Sequence, residues 1–115
     1  MIDDEPSIGL AIRRVLRHHH VTAVTTAQEA LEILGTGREF DVILSDLMMP
    51  GMSGMELYGA LSKLSPKMAA RIVFLTGGAF TIEANAFLNG VSNERMEKPF
   101  VASKLREMVQ SFIRS

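Results

Sequence analysis

Residues 42–54 are Val-Ile-Leu-Ser-Asp-Leu-Met-Met-Pro-Gly-Met-Ser-Gly, an apolar run that ends at Asp46 and passes into a loop containing proline and glycine. The apolar residues predict a buried β-strand, and Asp46 is placed at its carboxyl end. Open α/β sheets bind ligands and carry out chemistry at the carboxyl ends of their strands. The stretch therefore predicts an α/β fold with a functional carboxylate at Asp46.

Other polar residues follow candidate strands in the same way. Asp3 and Asp4 come after Met1-Ile2, Thr76 ends the run 72–75, and Lys98 follows a further candidate strand at 94–97. Carboxylate oxygens are the ligands that Mg²⁺ prefers, and an Asp oxygen can act as a nucleophile toward phosphorus. Three acids, a hydroxyl and an amine at one sheet edge are the groups needed for magnesium-assisted phosphoryl transfer onto a carboxylate.

Each of these residues also has an ordinary structural interpretation. Asp46 could be a turn residue before a helix, and the Asp3-Asp4 pair could only favour the start of the first helix through its dipole. Thr76 could be a β-branched residue ending a strand, and Lys98 a solvated lysine before a turn proline. It is the complete set, in this order and spacing, that favours the functional interpretation.

Taken together, Asp3-Asp4, Asp46 with its Met-Pro-Gly-Met-Ser-Gly tail, Thr76 and Lys98-Pro99 resemble the receiver domain of two-component response regulators, over nearly the whole chain. The resemblance implies that Asp46 accepts a phosphoryl group from the phosphohistidine of a histidine kinase or histidine phosphotransfer domain. It also implies that the domain then switches its partner interactions.

The same resemblance implies the roles of the other residues. Mg²⁺ would be bound directly by Asp4, Asp46 and the backbone carbonyl of Met48, with Asp3 acting through water. Thr76 would donate its hydroxyl to a phosphoryl oxygen and Lys98 would contact both Asp46 and the phosphoryl group. Gly77 and Gly78 would let the backbone approach the phosphate, and the Lys98-Pro99 bond would be cis.

The periodicity of apolar residues predicts alternating strands and helices and therefore a parallel sheet. We expect a doubly wound five-stranded parallel sheet of order 2-1-3-4-5, the flavodoxin-like receiver fold. The predicted strands are 1–2, 21–24, 41–45, 72–75 and 94–97. The first predicted helix has an inner stripe at Ile8, Ala11, Ile12, Val15 and Leu16. Capping boxes at Thr26–Glu29 and Ser53–Glu56 begin the second and third helices. A fourth helix is predicted at 82–88, and the last has an inner face at Leu105, Met108, Val109 and Phe112.

Length and composition limit which kinds of protein and partner are expected. The 115 residues suit one receiver domain, 1–115, and the unusually short first strand suggests excision from a longer protein. The net charge of −1 argues against a nucleic-acid-binding role for this domain, and the absence of cysteine excludes thiol chemistry. No apolar run approaches ~20 residues, so we expect no membrane contact. The expected location is the cytoplasm, either free or as the cytosolic part of a membrane-bound sensor kinase.

Two features suggest how partners and switching work in this chain. Leu10 lies off the predicted inner stripe, beside the small residue Gly9, so helix one is the predicted docking surface. Arg95 stands three residues before Lys98, where most receivers have an aromatic residue. We expect Arg95 to stay at the surface near Glu94 or Glu97, because burying an unpaired guanidinium is costly. The Asn93–Phe100 stretch is similar to receivers attached to hybrid sensor histidine kinases.

Alternative classes remain open at this stage. A haloacid-dehalogenase-type phosphohydrolase also forms an aspartyl phosphate, but it needs a second acid two residues after the nucleophile, where this chain has Met48. The other two alternatives are a flavin-binding electron carrier and a degenerate receiver that docks to a partner without accepting a phosphoryl group. The three consecutive histidines, 18–20, are a poor candidate for a metal site, because neighbouring residues on a helix point in different directions.

Overall fold

The computed structural model describes residues 1–77 and 81–114 and shows a parallel sheet covered by helices on both faces. The strands are β1 (Ile43–Asp46), β2 (Ile72–Thr76) and β3 (Arg95–Glu97). The helices are α1 (Pro6–Val15), α2 (Ala27–Gly35), α3 (Gly54–Leu64), α4 (Pro66–Ala69), α5 (Ile82–Gly90) and α6 (Ala102–Arg114).

The sheet has the predicted strand order. β1 pairs in parallel with β2, and β2 with β3. Ile2 extends the sheet through single parallel bridges to Ser45 on one side and Val24 on the other. The five segments therefore lie in the order 2-1-3-4-5, which confirms the predicted fold. The first two predicted strands are each reduced to a single bridging residue, Ile2 with two bridges and Val24 with one.

Two apolar clusters hold the sheet between its helices. One cluster contains Ile43, Ile72 and Phe74 with the inner faces of α2, α3 and α5. The other contains Leu44 and Val73 with α1 and α6. Alternate strand residues thus point to opposite faces, and both faces are buried, as expected of a parallel sheet. This packing fixes the carboxyl ends of the strands at one edge.

The helix starts follow their sequence signals. Ser53 and Glu56 form the predicted capping box, with reciprocal 3.2 Å hydrogen bonds. At Thr26 the predicted box is only half formed: Thr26 Oγ1 accepts the Glu29 N–H at 3.2 Å, and the Glu29 carboxylate accepts the Thr26 hydroxyl, also at 3.2 Å, in place of its N–H. The short helix α4 was not predicted: its 4 residues are too few to show a helical period, although Pro66 at its start is a helix-initiating signal.

The inner face of α1 differs from the prediction at one position. Ile12 and Leu16 are buried, but Ala11 is exposed and Gly9 is buried in its place. A Cβ on Gly9 would lie 3.3 Å from the Ala23 Cβ. The small size of Gly9 therefore allows α1 to approach the edge of the sheet, rather than leaving space for a partner.

Candidate functional site

Three carboxylates meet at the carboxyl edge of the sheet. Asp46 is the last residue of β1 and is 8% exposed, Asp3 follows the bridging Ile2 and is 2% exposed, and Asp4 faces solvent. One carboxylate oxygen from each lies within 4.8 Å of the others. Such crowding of like charges is unfavourable without a cation, and hard oxygen ligands with an open side suit a Mg²⁺ ion that keeps several waters.

Lys98 supplies a positive charge inside this cluster. Its Nζ donates to Asp3 Oδ2 at 2.6 Å and lies 3.3 Å from Asp46 Oδ2. The main chain holds it there, because the Lys98 N–H donates to the Thr76 carbonyl at 2.7 Å. The Lys98-Pro99 bond that follows is cis, as expected. The structure thus brings Lys98 to Asp46, but its shorter contact is with Asp3.

Burial and charge alter the proton affinities of this pair. Burial raises the pKa of the Asp46 carboxyl, and the negative charge of Asp3 adds to the effect. The Lys98 ammonium and the Met48 N–H act in the opposite direction without cancelling it. For Lys98, burial lowers the pKa, but the hydrogen bond to Asp3 and the charges of Asp46 and Asp3 outweigh it, so the pKa is raised. Lys98 therefore stays protonated, and a further cation beside Asp46 would stabilise its ionised carboxylate.

Asp46 opens onto a depression of about 320 Å³. Thr76, at the end of β2 and 2% exposed, lines it together with Gly77 and Lys98. Met48 also lines it, with a side chain 47% exposed. Gly78, expected to help the backbone approach a phosphate, lies outside the described residues. The depression leaves the Asp46 carboxylate accessible beside a hydroxyl and an amine.

Two residues with structural roles were missed in the sequence, Gly54 beside the site and Asn93 at the opposite, amino end of β2. A Cβ on Gly54 would collide with the Asp46 carbonyl oxygen and lie 3.0 Å from the Leu47 Cα. Gly54 thereby lets α3 begin directly against the backbone of the candidate nucleophile. Asn93 is buried, and its Nδ2 donates to the carbonyls of Ala69 and Ile72, each at 2.9 Å. Its only signal was an amide residue shortly before a strand.

Leu10, predicted to dock a partner, and Arg95, predicted to stay at the surface, are both exposed. Leu10 is 61% exposed on α1. Arg95 is exposed, but its contact is not with the predicted glutamates: its Nη2 donates to the Leu88 carbonyl at 2.6 Å. That carbonyl lies in the last turn of α5, where the helix itself offers no donor.

Comparison with known proteins gives one consistent result. Residues 1–110 match the family model of the response regulator receiver domain. The chain is 33% identical over 117 residues to the regulatory protein LuxO of Vibrio cholerae and 34% identical over 113 residues to PetR of Rhodobacter capsulatus. It is covered to 99% and 97% in these matches but spans only 25% and 46% of the two relatives.

Solved structures agree with this family match. A response regulator receiver domain from Clostridium thermocellum superposes with a TM-score of 0.83 at 28% identity, covering 98% of this chain and 90% of the other. The signal receiver domain of a histidine kinase from Syntrophus aciditrophicus has the same TM-score, 0.83, at 21% identity, covering 98% of this chain and 86% of the other, and shows a shared fold. Across residues 1–77 and 81–114, no helix combines the length and apolar character needed to cross a bilayer.

Proposed function

This chain belongs to the response regulator receiver domain family of two-component signalling, and we propose that its Asp46 accepts a phosphoryl group from a phosphohistidine. One carboxylate oxygen of Asp46 attacks phosphorus, an O–P bond forms, and the P–N bond to the imidazole breaks. The imidazole keeps the electron pair and takes up a proton from solvent. The observation that carries the proposal is the position of Asp46, at the end of a buried strand, 3.3 Å from the Lys98 ammonium.

The contacts of the other two acids favour Asp46 as the nucleophile. Asp3 is engaged on both oxygens: Oδ2 accepts from Lys98 at 2.6 Å and Oδ1 accepts the Glu5 N–H at 2.9 Å. Asp4 is exposed and is not held by a neighbouring strand. Asp46 is fixed by β1 yet faces the depression, where an in-line approach is open.

The remaining groups stabilise the charge that develops during transfer. Lys98 balances negative charge on Asp46 and then on the phosphoryl oxygens, and Thr76 offers a hydroxyl to one of those oxygens. Asp4, Asp46 and the backbone carbonyl of Met48 would hold Mg²⁺, with Asp3 acting through water. When bound, the ion would neutralise phosphoryl charge and satisfy the crowded carboxylates.

The direct test is labelling with acetyl phosphate and Mg²⁺, followed by intact-mass measurement. We expect a gain of about 80 Da, the mass of one phosphoryl group, in the wild type. Asp46→Asn should not gain it, whereas the matched control Asp41→Asn, an exposed aspartate before β1, should label normally. Excess chelator should prevent labelling. Full labelling of Asp46→Asn would refute the assignment, and rapid turnover of phosphate monoesters would favour the phosphohydrolase alternative.

We place the partner, a histidine kinase or histidine phosphotransfer domain, on α1 beside the site. The support is Leu10, an apolar side chain 61% exposed near the acid cluster. Leu10→Glu should slow transfer from a phosphohistidine partner and leave acetyl phosphate labelling unchanged. Leu64→Glu, at a 56% exposed leucine at the end of α3, is the matched control. Equal slowing of both reactions in Leu10→Glu would mean that the site itself is damaged.

The context of the domain is a further part of this proposal. We infer a cytoplasmic location, either in a free regulator or in the cytosolic part of a hybrid sensor kinase. Support comes from the likeness of the fold to a receiver described as part of a signal transduction histidine kinase. Fractionation of the native host, with detection of the full-length protein, tests the location and the parent architecture together.

A further inference from the structure

The side chain of Met48 takes no part in the proposed transfer, although Met48 lines the depression at Asp46 together with Thr76 and Lys98. The main chain of Met48 is already used: its N–H donates to the Asp46 carboxylate, and its carbonyl is the proposed third protein ligand of Mg²⁺. The thioether therefore brings a soft, oxidisable sulfur to the opening of a site formed by charged and polar groups.

Exposure to solvent distinguishes Met48 from the other seven of the 8 methionines in the chain. Met48 is 47% exposed, whereas Met68 is 3% exposed and the remaining six are half-buried. Three of those six pack against the apolar cluster between α2, α3 and α5: Met49, Met52 and Met55. A thioether is oxidised where an oxidant can reach its sulfur. A small oxidant in solution should therefore react with Met48 first, and the chain has no cysteine to compete with it.

Peroxides, of which hydrogen peroxide is the simplest, oxidise a thioether in one two-electron step. The sulfur lone pair of Met48 attacks one peroxide oxygen, so that an S–O bond forms and the O–O bond breaks. The other oxygen leaves as hydroxide and takes the proton from the transferred oxygen, which gives methionine sulfoxide and water. Sulfur is oxidised by two electrons, and the peroxide is reduced by two.

The sulfoxide changes what the depression offers to a phosphoryl group. Its oxygen carries partial negative charge and accepts hydrogen bonds, whereas a thioether accepts them only weakly. The Thr76 hydroxyl and the Lys98 ammonium line the same depression, and they are the donors assigned to the phosphoryl oxygens. A sulfoxide oxygen at Met48 competes for these donors and adds negative charge beside Asp46. Both effects oppose the entry of a phosphoryl group.

We propose that Met48 is an oxidation site at which a peroxide converts the thioether to the sulfoxide, and that this modification slows phosphoryl transfer to Asp46. The effect on transfer rests on the proposed function. The oxidation does not, because it needs only an exposed sulfur. A methionine sulfoxide reductase reverses the change: two thiols are oxidised to a disulfide, the sulfoxide oxygen leaves as water and the thioether is restored.

Peptide mapping by tandem mass spectrometry tests the oxidation. The full chain, treated with dilute hydrogen peroxide in the presence of chelator, should gain about 16 Da, the mass of one oxygen atom, at Met48 first. Met48 should be oxidised at least about threefold faster than the half-buried Met96 on β3, and the buried Met68 should stay reduced. Oxidation of Met48 no faster than that of Met96 would overturn the assignment of the site.

Acetyl phosphate labelling before and after peroxide treatment tests the effect on transfer. Oxidation should slow labelling of the wild type by about threefold to tenfold, the range expected for weakening one hydrogen bond to the phosphoryl group. Repair with the reductase should restore the rate. Met48→Leu, compared only with itself, should keep its own rate after treatment, whereas the control Met96→Leu should still be slowed.

A variant made without oxidant separates Met48 from damage elsewhere. Met48→Gln places an amide acceptor at this position and should label more slowly than Met48→Leu. An unchanged rate in the oxidised wild type, or equal slowing of Met48→Leu by peroxide, would overturn the effect on transfer. Failure of the untreated wild type to label would instead count against the proposed function and against the effect that rests on it, while the peptide map still decides whether Met48 is the oxidation site.

Discussion

Replacing Lys98 by methionine tests how the negative charge of the acid cluster is neutralised. The substitution keeps a long unbranched side chain and removes the ammonium that lies 2.6 Å from Asp3 Oδ2 and 3.3 Å from Asp46 Oδ2. The exposed fraction of the side chain is 20% for Lys98, 1% for Asp3 and 11% for Asp46. The variant therefore leaves two largely buried carboxylates without their countercharge.

The expected loss follows from this burial. Removing one partner of a buried ion pair costs about 3–5 kcal/mol of unfolding free energy. Because Lys98 keeps some solvent contact and Asp46 can take up a proton, we expect about 2–3 kcal/mol at pH 7 without metal. Mg²⁺ should restore part of the loss, since the ion supplies positive charge to the same oxygens.

The sign of the pH dependence is fixed by Asp46. Its pKa is raised in the folded state, and losing Lys98 raises it further. A carboxyl with a raised folded pKa binds more protons when folded, so stability falls as pH rises through that folded pKa. The loss of unfolding free energy in Lys98→Met, relative to the wild type, should therefore be small in acid and grow toward neutral pH. The pKa of Lys98 is raised from 10.5, so the wild-type ion pair persists until alkaline pH.

Urea denaturation with chelator at several pH values measures this deficit. Lys104→Met, at an exposed lysine on α6, is the matched control and should stay within about 0.5 kcal/mol of the wild type. Adding Asp3→Asn to Lys98→Met should recover stability, because one of the two unbalanced charges is removed. A deficit equal to that of the control, or one that grows as pH falls, would refute the reasoning.

Three further substitutions test the packing beside the site, the amino end of β2 and the charge of the acid cluster. Gly54→Ala should lower the free energy of unfolding by about 1–3 kcal/mol and impair labelling, because the added Cβ meets the Asp46 carbonyl. The control Gly59→Ala has open space around its Cβ and should be neutral or stabilising. Urea denaturation and intact-mass labelling check both variants. Asn93→Ala should cost about 1–3 kcal/mol by leaving two carbonyls unpaired, against little change in the exposed Asn89→Ala, measured by thermal unfolding. Asp46→Asn should raise the midpoint of metal-free urea unfolding at pH 7, because it relieves charge crowding; a lower midpoint would contradict this.

The gathering of the site residues could be predicted from the sequence because of one geometric rule. Asp3, Asp46 and Thr76 each follow an apolar segment, Lys98 follows the candidate strand 94–97, and the carboxyl ends of parallel strands lie at one edge. The sequence did not indicate that Lys98 approaches Asp3 more closely than Asp46. That preference depends on how deeply each carboxylate is buried, and a pattern of residue types carries no such information.

The features that were missed depend on contacts between distant segments. Gly9 is buried on α1 because Ala23 lies against it, so a helical period alone placed Ala11 inside instead. Gly54 is needed because α3 starts against the backbone of Asp46. Asn93 was overlooked because its partners, two main-chain carbonyls, have no sequence signature.

Strand β3 joins the chemistry of the site to the attachment of α5. Lys98 follows its last residue and is anchored by its N–H to the Thr76 carbonyl at 2.7 Å, while Arg95 at its start holds the Leu88 carbonyl. A phosphoryl group on Asp46, as proposed, would require the contact with the ammonium to be rebuilt around the phosphoryl oxygens. A strand of 3 residues at the edge of the sheet, paired on one side by β2 within the described part of the chain, can shift more easily than a central strand. Because Arg95 begins this strand and Lys98 follows it, any shift of the strand moves two contacts together, the ion pair at the site and the hydrogen bond to α5.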